Sequence, residues 1–138
     1  MTSGKGTTVA TRHLKRSDGA LIVVSIGKPR RKGHDWVCTF VISDGDNSNT
    51  GQANGVDAVQ ALTQALEGVR TALEVGGDHL TWVGGEPGDN GFARTIPQYF
   101  GIEFSQRVGH LLDREIAKFS NALARRRKAP KTPRTRRT

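Results

Sequence analysis

Residues 54–73, NGVDAVQALTQALEGVRTAL, constrain the fold more than any other stretch of the chain. Val59, Leu62, Leu66, Val69 and Leu73 recur at steps of three and four, which puts them on one face of a helix. Ala58, Ala61, Ala65 and Ala72 favour helix and allow close approach to a sheet. Gln60, Gln64, Glu67 and Arg70 fall mainly on the other side. Asn54-Gly55 reads as a turn, and Asp57 as the N-cap or first-turn carboxylate that meets the free N–H groups. Gly76-Gly77 predicts the stop, through a left-handed cap. Gly68 sits mid-helix, where glycine costs roughly 1 kcal/mol relative to alanine. Contact with another backbone is its expected reason.

Strand signals precede this helix. Residues 8–15 read as a strand, followed by a turn at Arg16-Ser17-Asp18-Gly19 with its Asp-Gly hairpin signal. ALIVVSI, residues 20–26, is β-branched and apolar at both parities, so it is expected to be central or covered on both faces. Residues 27–33, GKPRRKG, read as a loop, and DWVCTFVI, residues 35–42, as the next strand. In that strand Trp36, Cys38, Phe40 and Ile42 share one face, while Val37, Thr39 and Val41 share the other. SDGDNSN, residues 43–49, reads as a polar turn, and residues 50–54 as a short fourth strand.

After the central helix, LTWV at 80–83 is short and extended, and GGEPGDNG at 84–91 is too rich in Gly and Pro to be regular. A second helix is predicted over residues 102–126, with Phe104, Val108, Leu111, Leu112, Phe119 and Leu123 as its stripe, Ile116 widening it and Glu115 interrupting it. Pro130 and Pro133 oppose any further helix.

Charge separates along the chain. The net charge is +8, yet residues 1–124 hold thirteen basic and thirteen acidic residues. The excess lies in residues 125–138, RRRKAPKTPRTRRT, which hold eight Lys or Arg and no acid. A basic pI therefore does not imply a basic domain. The N-terminus has no apolar signal region, no apolar run reaches about 18 residues, and the lone Cys38 has no internal disulfide partner. A cytoplasmic protein is expected, with residues 1–7 disordered.

Asp35-Trp36-x-Cys38, then GVDAVQAL at 55–62, then Leu80-Thr81-Trp82 and Gly91-Phe92, resemble a family of small uncharacterised bacterial proteins, a domain of unknown function. The resemblance runs from about residue 14 to 123 and leaves out the tail. It implies a compact domain and brings no established activity, so it assigns no residue a role.

Candidate chemistry is sparse. His13, His34, His79 and His110 fit no metal motif, and one cysteine does not build a structural zinc site. His110 and Asp113 stand one helical turn apart, a spacing that can bind a metal, but a surface pair is preferred. Cys38 shares a strand face with Trp36 and Phe40, so a buried structural thiol is preferred to a nucleophile. The 84–91 loop lacks the spacing and the lysine of a phosphate-binding loop. Asp44 and Asp46 stand as in a calcium loop without its closing glutamate. No catalytic residue, metal or cofactor is expected.

The expectation is one α+β domain over residues 8–124, an antiparallel sheet of three to five strands packed on the central helix, with a long C-terminal helix and a disordered basic tail at 125–138. The leading function is a non-enzymatic binding module. Arg125, Arg126, Arg127, Lys128, Lys131, Arg134, Arg136 and Arg137 would neutralise DNA or RNA phosphates without base specificity, and Lys28, Arg30, Arg31 and Lys32 would add a second contact. The alternative is a protein-interaction or inhibitor- or immunity-type module, without nucleic-acid binding, whose surface includes Trp82 and the 84–91 loop. Adhesion to lipid is disfavoured, because the tail carries no large apolar residue to insert.

Overall fold

A computed structural model describes residues 6–76 and 79–128. The elements in chain order are β1 (Thr8–Arg16), β2 (Leu21–Gly27), β3 (Arg30–Lys32), β4 (Asp35–Asp44), β5 (Asn47–Gly55), α1 (Ala58–Val75), β6 (Leu80–Trp82), a single 3-10 turn (Gln98–Phe100) and α2 (Ile102–Lys128). This is the α+β class, with an open antiparallel sheet of six strands and two helices. The chain divides into two compact units, residues 1–95 and residues 96–138, where the sequence suggested one domain from 8 to 124.

In the first unit β1, β2, β4 and β5 form a meander, and β6 joins the outer edge of β1. β5 pairs along β4 from Trp36 to Asp44, so it occupies one whole edge of that strand. β2 and β3 must then share the other edge, β2 against residues 40–44 and β3 against residues 35–37. β3 is thus the continuation of β2 beyond a break at Lys28-Pro29, where proline has no N–H to donate. This explains why the count exceeds five: part of the GKPRRKG stretch is strand rather than loop.

The β4–β5 connection is also tighter than its composition suggests. Asp44 pairs with Asn47, leaving only Gly45 and Asp46 as the loop. Gly45 has φ of +57°, which a two-residue hairpin demands of its first loop residue and which glycine adopts without strain. The polar residues that follow belong to a nine-residue strand, not a turn. Their polarity suits an edge that meets water.

The side chains alternate as the pleat requires. Leu14 of β1, Ile22, Val24 and Ile26 of β2, Cys38 of β4 and Leu80 of β6 are buried on the face covered by α1. Trp36, Phe40, Ile42 and Ala53 pack around them, half-buried. β2 is central, as its composition suggested. Helix covers only one of its faces, however: Leu21 is 51% exposed and Val23 half-buried.

α1 starts where the sequence placed it. The Asp57 carboxylate accepts the Gln60 N–H at 2.8 Å, and the Gln60 side chain accepts the Val56 N–H at 2.7 Å, a reciprocal cap. Gly55 is pressed against the first turn: a Cβ there would lie 2.4 Å from the Ala61 nitrogen. The helix end differs from expectation, because Gly76 is right-handed with φ of −63°; Gly77 lies outside the described residues. The buried face is turned too. Ala61, Ala65, Val69 and Leu73 are buried, whereas Val59 is 74% and Leu66 37% exposed. Four-residue steps through alanine let the backbone close onto the sheet, and this moves the larger residues to the flanks. The neighbour of Gly68 is the Phe40 ring, not another backbone.

In the second unit the 3-10 turn joins α2 through Gly101, and Tyr99, Phe100 and Phe104 stack in series with centroids 4.4 and 4.9 Å apart. α2 runs 27 residues, and none of them is buried. It continues through Lys128, so Arg125, Arg126, Arg127 and Lys128 are helical rather than part of a disordered tail.

Candidate functional site

The basic residues fall in two places. Arg30, Arg31 and Lys32 stand opposite Val37, Trp36 and Asp35 of β4. Successive side chains on a strand go to opposite faces, so Arg31 shares the α1 side with Trp36 while Arg30 and Lys32 take the other. All three are exposed, as is Lys28, whose N–H donates to the Thr7 carbonyl. They do not form one four-cation patch, and the pleat is the reason.

On α2, Arg125, Arg126, Arg127 and Lys128 are exposed. Lys131, Arg134, Arg136 and Arg137 lie outside the described residues. Sequence reasoning overlooked Arg107, Arg114 and Lys118. With Arg125 they recur at steps of seven, four and seven, which on a helix of 3.6 residues per turn makes a row along one side. That spacing was the signal that could have found them. Val108, Leu112, Ile116, Phe119 and Leu123 fall mainly on the other side of the helix from this row, and Ile116 and Phe119 are 62% and 69% exposed. Lys118 pairs with Glu115 at 3.2 Å, an exposed contact of little energetic consequence.

Trp82 lies elsewhere, in the first unit. β6 sets it opposite Leu14, half-buried. The 84–91 loop closes around the indole: a Cβ on Gly85 would fall 2.4 Å from Nε1, and one on Gly91 2.8 Å from Cδ1. Glycine is needed here for space. Arg12, on the same sheet face, lays its guanidinium over the ring at 4.9 Å and over Phe92 at 5.1 Å, and donates to the Gly91 carbonyl. Trp82 is therefore engaged within its own unit rather than standing free as a partner contact. Beside this clamp is a cavity of about 340 Å³.

The glycine-rich loop uses its own amides. The Gly85 N–H donates to the Trp82 carbonyl, Gly88 to Thr81 Oγ1, Asp89 to the Glu86 carbonyl, Gly91 to Asp89 Oδ1 and Phe92 to Asn90 Oδ1. These donors do not converge on an anion. Cys38 is fully buried and its thiol donates to the Gly27 carbonyl at 3.3 Å; burial pushes its pKa up, as expected of an inert thiol. His110 and Asp113 are both exposed. Among the described residues no three His, Cys, Asp or Glu gather as metal ligands, and no helix is long and apolar enough to cross a membrane.

No curated protein and no solved structure matches the chain. The family model described as "Domain of unknown function (DUF6968)" matches residues 10–94, more than half of the chain and nearly all of its first unit, and the chain belongs to that family.

Proposed function

We infer that the protein is a cytoplasmic, non-enzymatic binding module that attaches weakly to nucleic acid, without sequence preference, through its basic C-terminal segment. The observation that carries this reading is the charge division. Residues 96–138 hold eleven of the chain's 21 Lys and Arg but only three of its 13 acids, while residues 1–95 hold ten of each. Exposed arginines such as Arg107, Arg114 and Arg125, in a row along α2, suit a run of phosphates. They offer charge rather than an arranged base-reading surface. The lone buried thiol agrees with a reducing compartment.

Titration of a DNA duplex at two salt concentrations tests the reading. With about half of the eight cations at 125–138 engaged, the slope of log K against log salt should be roughly −3 to −4. Deleting 125–138 should remove most of the affinity, and replacing Arg30 and Arg31 by Ala should remove less. Absence of binding at low salt would eliminate it. A second reading then takes first place: a protein-interaction module, of inhibitor or immunity type, for which the exposed apolar stripe of α2 offers a surface.

A further inference from the structure

The geometry points to a second binding site, in the first unit: the cavity beside Arg12 takes a small carboxylate carried on an apolar body. Among the described residues three arginines, Arg12, Arg16 and Arg70, are half-buried. Arg16 meets Asp18 and Asp44, at 3.2 and 2.8 Å. Arg70 meets Glu67, and Glu74 at 2.8 Å. Arg12 meets no carboxylate among the described residues. Its guanidinium carbon lies over the Trp82 and Phe92 rings, with one N–H on the Gly91 carbonyl. The contact with two rings compensates part of the cost of burying the charge, but it leaves the fork's other donors without an acceptor among the described residues. A cation fixed in this way is pre-organised for an anion.

The cavity that Arg12 lines defines the rest of the ligand. Its wall is largely apolar, with Val24, Ile26, Leu66 and Phe92 prominent. At about 340 Å³ it sits at the lower end of the range for ligand pockets, which limits the occupant to a small molecule. The charge count limits it to a single negative charge. The loop amides beside Arg12 are engaged, and the Thr63 hydroxyl donates to the Val59 carbonyl at 2.9 Å. A phosphate dianion needs more donors than this site offers, whereas a planar carboxylate matches one guanidinium fork. This site and the basic segment rest on different residues, so either stands without the other.

Phenylacetate and its uncharged counterpart phenylacetamide are the probes, titrated into the full chain and followed by the Trp82 indole N–H resonance. Phenylacetate should shift that resonance saturably, and phenylacetamide should bind at least about tenfold more weakly, as expected for loss of one charge-assisted contact. Arg12→Gln should remove the difference between them. Because that variant also loses the clamp, Leu66→Trp provides an independent check: it fills the cavity from a partly exposed position and leaves Arg12 in place. It should abolish the shift. Equal binding of the two probes, no binding of either, tighter binding of inorganic phosphate, or unchanged phenylacetate binding in Leu66→Trp would each overturn the proposal.

Discussion

α1 and α2 are both amphipathic, both carry three leucines, and both are easy to find by periodicity, yet they sit in different surroundings. α1 buries a row of Ala61, Ala65, Val69 and Leu73 against a sheet whose facing residues are Leu14, Ile22, Val24 and Cys38. α2 buries nothing along 27 residues. Charge divides the same way: the unit holding α1 is formally neutral, and the unit holding α2 carries the excess. Periodicity reports that a helix has a face; it does not report whether the chain supplies something to cover it. In α1 the partner was legible, because alternating strands precede and follow it. Nothing in residues 96–128 plays that part for α2.

The largest expected effect tests the core side of this contrast. Leu14 is fully buried, so Leu14→Ala should cost about 2–5 kcal/mol in equilibrium denaturation. Leu112→Ala, at a residue 49% exposed, should stay within about 0.5 kcal/mol. A cost for Leu112→Ala comparable to that at Leu14 would break the comparison, since it would mean that α2 is packed in solution.

Removal of residues 96–138 comes next. With no buried side chain of α2 lost, the melting temperature should move by less than about 4 °C, which corresponds to under 1 kcal/mol for a domain of this size. A larger drop would merge the two units into one cooperative structure.

Leu66 sharpens the contrast within α1 itself. Its spacing marks it as core, but 37% of it is exposed and it borders the cavity. Leu66→Ala should therefore cost about 1 kcal/mol, well below the loss at Leu14. Equal losses would place the buried face where periodicity alone put it.

The smallest effect is in pH. Burial raises the Cys38 pKa, so the folded state holds its thiol proton at pH values where the unfolded state releases it. Stability should therefore decline as pH climbs past the ordinary thiol range, at roughly 8.5. Cys38→Ala should flatten that limb of the curve. A thiol reagent should label the native protein slowly and the denatured protein fast.

The fold class, the cap at Asp57 and the shared face of Trp36, Cys38, Phe40 and Ile42 were all legible in the sequence, because each is set by neighbours within a few residues. What escaped depends on distant pairing. Residues 47–49 look like part of a turn, and β5 like a short strand, until β4 supplies a nine-residue edge for it. The rotation of α1 toward its alanines depends on how closely a helix can approach this sheet. Arg12, Trp82 and Phe92 are separated by up to 80 positions, and only the β1–β6 pairing and the glycine loop bring them together. A lone arginine on a strand carries no local signal of a stacked, half-buried role.

Phe40 has a consequence for how this family can vary. A Cβ on Gly51 would fall 2.2 Å from the Phe40 ring, and one on Gly68 3.2 Å from it. The ring thus fills space that side chains at 51 and 68 would contest, and the helix accepts a glycine in its middle to make room. Positions 40, 51 and 68 form one packing unit. In relatives where 40 is small, 51 and 68 should be free to carry alanine or larger residues, and 68 should gain helix propensity in the exchange. Where 40 stays aromatic, glycine at 51 should stay with it, so that substitutions at the three sites travel together through descent although they come from two strands and a helix.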